Sequence, residues 1–155
     1  MTEDKSIEEH LKKLERGGAV RDVEHISVQI ARTPSDVYAY ASNPMNLPLW
    51  AAGLARSEVK KAGDWWVMEA PFGKVQVRFA PRNEQGVMDH DVKLESGAVI
   101  HNPMRIVPRE GGSEFIFTLF RRAGMSEEQF AQDKAAVERD LQTLKRILER
   151  GQSAG

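Results

Sequence analysis

His90 is the polar residue whose surroundings could give it chemistry to do. It lies in Met88-Asp89-His90-Asp91-Val92, where strict alternation puts Met88, His90 and Val92 on one face of a strand. Counting through the turn Glu95-Ser96-Gly97, with Gly97 as the left-handed residue of a three-residue loop, sets Leu94 opposite Ala98 and Val92 opposite Ile100. The same count sets Asn102 directly across from His90. An imidazole beside an amide on an apolar face can orient a carbonyl or hydroxyl group, or move a proton near neutral pH. The competing reading is that the two side chains satisfy each other inside an ordinary core. His101 has the opposite parity and falls across from Asp91. With Asp89 it makes half of a metal site, or an exposed ion pair; the pattern favours the pair, because no third ligand stands out.

Trp50 and Trp66 are large enough to stack on an aromatic ligand or to wall a core, whereas Trp65 has the outward parity. Met68, Met88 and Met104 offer a lining that adapts to irregular shapes. Lys134, between Phe130 and Val137 on the last helix, can reach an anionic group or snorkel to solvent, and Arg121-Arg122 and Lys60-Lys61 read as solvated strand ends. The candidate binding set is therefore Trp50, Trp66, Met68, Val77, Phe79, Met88, His90, Asn102, Met104, Phe117, Phe130 and Val137, with His90 the one candidate catalytic group. No metal and no cofactor are expected. A Gly-x-Ser-x-Gly elbow, a phosphate-binding Gly-x-x-x-x-Gly-Lys loop and His-Glu-x-x-His are all missing.

Composition narrows the setting. The 155 residues carry 22 Lys plus Arg against 23 Asp plus Glu, a net charge of −1, which argues against a dedicated nucleic-acid binder. The absence of cysteine excludes disulfides, thiolate nucleophiles and cysteine-ligated metal centres. No apolar run is long enough to span a membrane, and the acidic start Met1-Thr2-Glu3-Asp4-Lys5 lacks the apolar core of a signal peptide, so a cytoplasmic protein is expected.

The elements that must position these residues can be read in order. Residues 1–21 form an extension in which Ile7, Leu11 and Leu14 fall at helical spacing before Gly17-Gly18: an accessory helix, a lid or a homodimer contact. Ile26, Val28 and Ile30 alternate as a half-buried strand. Thr33-Pro34-Ser35-Asp36 then opens a short helix, and Asn43-Pro44 opens a second, brief one that Pro48 interrupts. Hairpins follow. A loop at 63–64 sets Lys61 opposite Trp66; a loop at Phe72-Gly73 sets Met68 opposite Val77 and Trp66 opposite Phe79; a loop over 82–85 sets Phe79 opposite Met88 and Val77 opposite His90. A loop over 109–112 sets Met104 opposite Phe117 and Ile106 opposite Phe115. One apolar face runs through all of these strands, which supports the pairing. Finally Ser126-Glu127-Glu128-Gln129 is a capping box, and Phe130, Val137, Leu141, Leu144 and Leu148 make the stripe of a long helix ending near Gly151. The expected class is α+β: a seven-stranded curved antiparallel sheet wrapped on a long C-terminal helix, with two short helices after the first strand. The domain is placed at 22–150, with 151–155 a flexible tail.

This order resembles the helix-grip fold of the START-like, or SRPBCC, superfamily. The residues that carry the resemblance are Thr33-Pro34-Ser35-Asp36-Val37-Tyr38, then Asn43-Pro44 and Trp50, together with Met88-Asp89-His90-Asp91-Val92 and Phe117-Thr118-Leu119-Phe120 leading to Ser126-Glu127-Glu128. The last two segments look like the bacterial polyketide-cyclase-like branch. The resemblance implies a cavity between sheet and helix that holds a small hydrophobic or aromatic molecule. Within the same superfamily stand polyketide cyclases and dehydratases, for which His90 would be the acid–base group, and activators of a heat-shock ATPase, which need an exposed apolar patch. The outward set Gln76, Arg78, Asp89, Asp91, Lys93 and His101 is polar and counts against such a patch.

Overall fold

Strand β1, Val23–Ile30, buries Ile26, Val28 and Ile30 and exposes the polar residues between them, as a strand with one wet face must. The structure is a computed structural model and describes residues 22–153 apart from 53, 56 and 57, with side chains through 150. The stripe of Ile7, Leu11 and Leu14 lies outside the described residues.

Helix α1, Pro34–Ala41, starts where Thr33 Oγ1 accepts from the Asp36 N–H at 3.1 Å. A single 3-10 turn, Pro44–Asn46, is capped in the same way by Asn43, and it runs into the one-turn helix α2, Leu47–Trp50. Pro48 does not interrupt that helix. It occupies the first turn, where its missing N–H would have had no partner.

Seven further strands follow: β2 Lys60–Ala62, β3 Trp65–Ala70, β4 Gly73–Phe79, β5 His90–Lys93, β6 Val99–Asn102, β7 Met104–Arg109 and β8 Gly112–Phe120. They form two antiparallel sheets, one ordered β1-β8-β7 and one ordered β2-β3-β4-β5-β6. The expected single seven-stranded sheet is thus divided, and the strand expected over 98–108 is broken at Pro103, which has no N–H to give a ladder. The two sheets stay stitched. Met88 N–H donates to Met104 O and Ile106 N–H to Gly86 O, both at 2.9 Å, and Val87 bridges Arg105. Gly86 is required there. Its φ is +74°, and a Cβ would stand 2.2 Å from the Ile106 carbonyl oxygen.

Registers divide likewise. Lys61 opposes Trp66, His90 opposes Asn102, Val92 opposes Ile100, Met104 opposes Phe117 and Ile106 opposes Phe115, as the turn counts require. Between β3 and β4 the turn is Pro71-Phe72 rather than Phe72-Gly73, so Trp66 opposes Val77 and Met68 opposes Val75. Between β4 and β5 Phe79 opposes His90 and Val77 opposes Val92. Both slips are of two residues, which keeps every side chain on its face.

Helix α3, Glu127–Ser153, begins with the reciprocal capping box. Ser126 N–H donates to Gln129 Oε1 at 2.9 Å, and Gln129 N–H donates to Ser126 Oγ at 3.1 Å. It continues two residues past Gly151, into the segment expected as tail. Its C-terminal half buries Leu141, Leu144 and Leu148 and is latched to the end of β1. Lys145 Nζ donates to Gln29 O at 2.7 Å, Ala31 N–H donates to Glu149 Oε2 at 2.9 Å, and Arg32 Nη1 donates to Leu148 O at 2.7 Å. No described helix is long and apolar enough to cross a membrane.

Candidate functional site

The N-terminal half of α3 does not lie flush on the sheet. Residues Gln129, Gln132, Asp133, Ala136, Val137, Asp140 and Leu141 follow one another at helical spacing and border a cavity of about 780 Å³. The sheet wall is apolar: Phe79, Val92, Ile100, Met104, Phe117 and Leu119, interrupted by His90 and Asn102. Helix α2 closes another side with Leu47, Trp50 and Ala51. Loops supply the rim: Leu54 after α2, Phe72 in the β3–β4 turn, Leu94 and Ala98 about the β5–β6 turn, and Phe120 with Arg122 to Met125 between β8 and α3. The Lys74 N–H donates to Glu95 Oε1 at 2.8 Å, which ties the β3–β4 and β5–β6 turns together at one edge.

His90 is only 5% exposed. Its Nε2 is 3.4 Å from Asn102 Nδ2, and its Nδ1 is 3.4 Å from the Met88 carbonyl oxygen. These partners assign the tautomer: Nδ1–H donates to the carbonyl, and Nε2 accepts from the amide. Phe79 and Phe117 flank the ring, at centroid distances of 5.4 and 6.0 Å. Burial among these groups pushes the imidazole pKa down to about 4, against the opposing pull of the Met88 carbonyl. At neutral pH the ring is uncharged. It is therefore a hydrogen-bonding group first, and a poor reservoir of protons. Across the cavity, burial raises the Asp133 carboxyl, with Arg122 opposing the shift.

Of the twelve residues read from sequence as binding candidates, Trp50, Phe79, His90, Asn102, Met104, Phe117 and Val137 border this cavity. Met88 instead lines a pocket of about 110 Å³ on which Phe79 also borders. Met68 and Val77 are packed in the core at 1% and 0% exposure, and Phe130 is buried beside them in the same cluster. Trp66 lies half-buried with Lys61 Nζ 5.8 Å from its ring centre, away from the cavity. The two-residue slip between β3 and β4 accounts for Trp66 and Met68, because it moves them along the sheet without turning them out of its face. Trp65 points outward, with Arg78 at 4.4 Å and Lys93 at 5.6 Å from its ring. Lys134 is drawn to Glu24 on β1, at 3.5 Å.

His101 Nδ1–H donates to Asp91 Oδ1 at 2.8 Å, and Nε2 stands 3.9 Å from Asp89 Oδ2. Arg78 also pairs with Asp91, and Arg105 with Asp89, so both carboxylates already have guanidinium partners. Among the described residues no group of three or more His, Cys, Asp or Glu side chains is arranged to hold a metal ion.

Sequence reasoning missed the rim and the polar face of α3. Arg122, read as a solvated strand end, borders the cavity. A signal did exist: between Phe130 and Leu141 the apolar stripe of α3 holds only Val137 and alanines, whereas Leu141, Leu144 and Leu148 are continuous.

A long helix gripped by curved antiparallel sheets, with a cavity between them, defines the helix-grip class. The family model described as polyketide cyclase/dehydrase and lipid transport matches residues 24–149. The chain belongs to that family. Solved structures agree on the fold. A Bacillus thuringiensis protein superposes with a TM-score of 0.65 at 15% identity, over 81% of this chain and 98% of that one. MLL2253 from Mesorhizobium loti gives 0.64 at 12%, over 83% and 97%. DynU16, a protein of the dynemicin biosynthetic locus, gives 0.67 at 14%, over 85% of this chain and 49% of that one. A search of curated proteins finds no match.

Proposed function

We propose that the chain binds a small apolar or aromatic molecule in the cavity under α3, with the sheet wall supplying affinity and the His90–Asn102 pair supplying orientation. The observation that carries this reading is a neutral, buried imidazole–amide pair set in an otherwise apolar wall. A cavity of about 780 Å³ is in the range that takes a drug-sized molecule. Affinity there comes from removing apolar ligand surface from water, about 25 cal/mol per Å². A carbonyl or hydroxyl on the ligand would exchange for one of the long 3.4 Å contacts of the pair. The neutral ring favours binding over acid–base turnover as the primary role.

The test is fluorescence titration with 1-anilinonaphthalene-8-sulfonate, beside native mass spectrometry of the protein as purified. Ala136→Trp fills the cavity from the α3 side. It should weaken probe binding about tenfold or more, the equivalent of about 1.4 kcal/mol, with little change in Tm. Full probe affinity in a folded Ala136→Trp protein places binding elsewhere and sinks the reading.

A further inference from the structure

The charge in the cavity lining sits on one side. His90 is neutral and Asn102 is an amide, so the sheet wall carries no ion. Helix α3 presents Asp133 and Asp140, and the loop between β8 and α3 presents Arg122. Two carboxylates against one guanidinium give the lining an excess of negative charge. Lys134, next to Asp133 in the chain, is held by Glu24 on β1 at 3.5 Å and does not border the cavity.

These ions differ in depth. Arg122 is exposed at the rim, where water and salt screen it. Asp133 is half-buried, and among the described residues its carboxylate makes no hydrogen bond and no ion pair. Arg122 acts on it only from a distance, opposing the rise in pKa that burial imposes. A carboxylate taken partly out of water without a partner is unfavourable until something brings it a donor or a positive charge. On the same face of α3 the next lining residues, Ala136 and Val137, are small and leave room for a ring beside that carboxylate.

We propose that the ligand of this cavity is an amphipathic cation, with an apolar or aromatic body against the sheet wall and a protonated amine paired with the Asp133 carboxylate. The proposal rests on the cavity being the ligand site and adds the charge that the ligand carries. An ion pair formed in partly dry surroundings is stronger than one formed at the screened rim, so Asp133 outweighs Arg122 in the selection. Anionic ligands are the disfavoured class. The sulfonate of 1-anilinonaphthalene-8-sulfonate is tolerated only where it turns outward to Arg122.

Three naphthalenes of matched size separate the cases: 1-naphthylmethylamine, a cation at pH 7, the neutral 1-naphthalenemethanol, and the anion 1-naphthoate. Each is titrated into the full chain by isothermal titration calorimetry at pH 7. The amine should bind about tenfold tighter than the alcohol, and naphthoate more weakly than the alcohol. Asp133→Asn keeps the shape and removes the charge. It should bring the amine to within about twofold of the alcohol and leave the alcohol's affinity as it was. Arg122→Gln should tighten the amine about twofold by removing a like charge.

Equal affinities for the three probes overturn the proposal and leave the cavity standing as a ligand site. Tightest binding of naphthoate, lost in Arg122→Gln, overturns it and makes Arg122 the recognition group. An amine preference that survives Asp133→Asn assigns the selection to another group and overturns it too. Binding of no naphthalene, or amine binding that Ala136→Trp does not weaken, defeats the cavity reading and the proposal together.

Discussion

Asn102 faces His90 across β5 and β6, Nδ2 to Nε2 at 3.4 Å, and this pairing lets a histidine remain buried in its neutral form. The consequence is a pH dependence of known sign. Burial holds the folded pKa at about 4 against an ordinary value of 6.5. Between those values the unfolded chain binds the proton and the folded chain does not, so stability rises with pH across the window. It is full above 6.5 and lost progressively down to about 4. The loss amounts to about 3 kcal/mol at most. His90→Gln keeps a group that can accept from Asn102 but removes the titration. Urea denaturation at pH 7 and pH 4.5 should show a smaller drop for His90→Gln than for the parent; equal drops assign the pH dependence to other groups.

A second pH effect belongs to the latch at the end of α3. The Lys145 ammonium first, and the Ala31 N–H second, hold Glu149 below the usual carboxylate range. A depressed carboxylate stabilises the fold above its unfolded pKa and loses that contribution as pH falls through its folded value. Both side chains are about one-third exposed, which keeps the contribution small. Glu149→Gln should cost about 0.5–1 kcal/mol at pH 7 in urea denaturation, and the difference from the parent should shrink at pH 4.

The join between the two sheets is a backbone contact, and Gly86 makes it possible. Gly86→Ala needs a left-handed conformation and collides with the Ile106 carbonyl at a calculated 2.2 Å. The expected loss is about 2–4 kcal/mol, read as a lower urea midpoint. Gly97→Ala is the control: it has φ +91° but nothing within 4 Å of the new Cβ, so it should show backbone strain alone and lose less. Equal losses at the two glycines would mean that the contact with Ile106 contributes nothing.

The strand pairings were legible in the sequence across the β5–β6 and β7–β8 turns, and not across the β4–β5 connection, where Gly86 is also at positive φ but the expected register is two residues off. Gly97 and Gly111, both at positive φ, mark the β5–β6 and β7–β8 turns, and the registers read across them are the observed ones. The Pro71-Phe72 turn carries no such mark, and Gly73 beside it drew the count one residue late. Alternation protected the faces from that error, since a slip of two preserves parity. The His90–Asn102 pairing was legible for the same reason as the turn that creates it. Trp66, Met68 and Val77 were not separable from cavity residues, because a core wall and a cavity wall have the same alternation. The polar lining of α3 was hidden by a related ambiguity. Gln129, Gln132 and Asp133 look like a solvated face until the helix is seen to stand off the sheet.

Trp50 tests whether the wall of the cavity is built for packing or for hydrogen bonding. Its indole is 4% exposed and meets Phe115 edge-on, with centroids 5.9 Å apart and planes at 75°. The buried Nε1–H finds no acceptor among the described residues. An unpaired buried donor costs about 1–3 kcal/mol, so removing it recovers part of what the smaller ring loses in packing. Trp50→Phe keeps an aromatic edge on Phe115 and should leave stability within about 1 kcal/mol of the parent. Trp50→Ala loses both the ring and the contact and should cost about 3–5 kcal/mol. Urea denaturation followed by far-UV circular dichroism separates the two cases. A Trp50→Phe loss as large as that of Trp50→Ala would show that the indole N–H makes an energetically important bond in solution, and that this wall is polar at a second place besides His90.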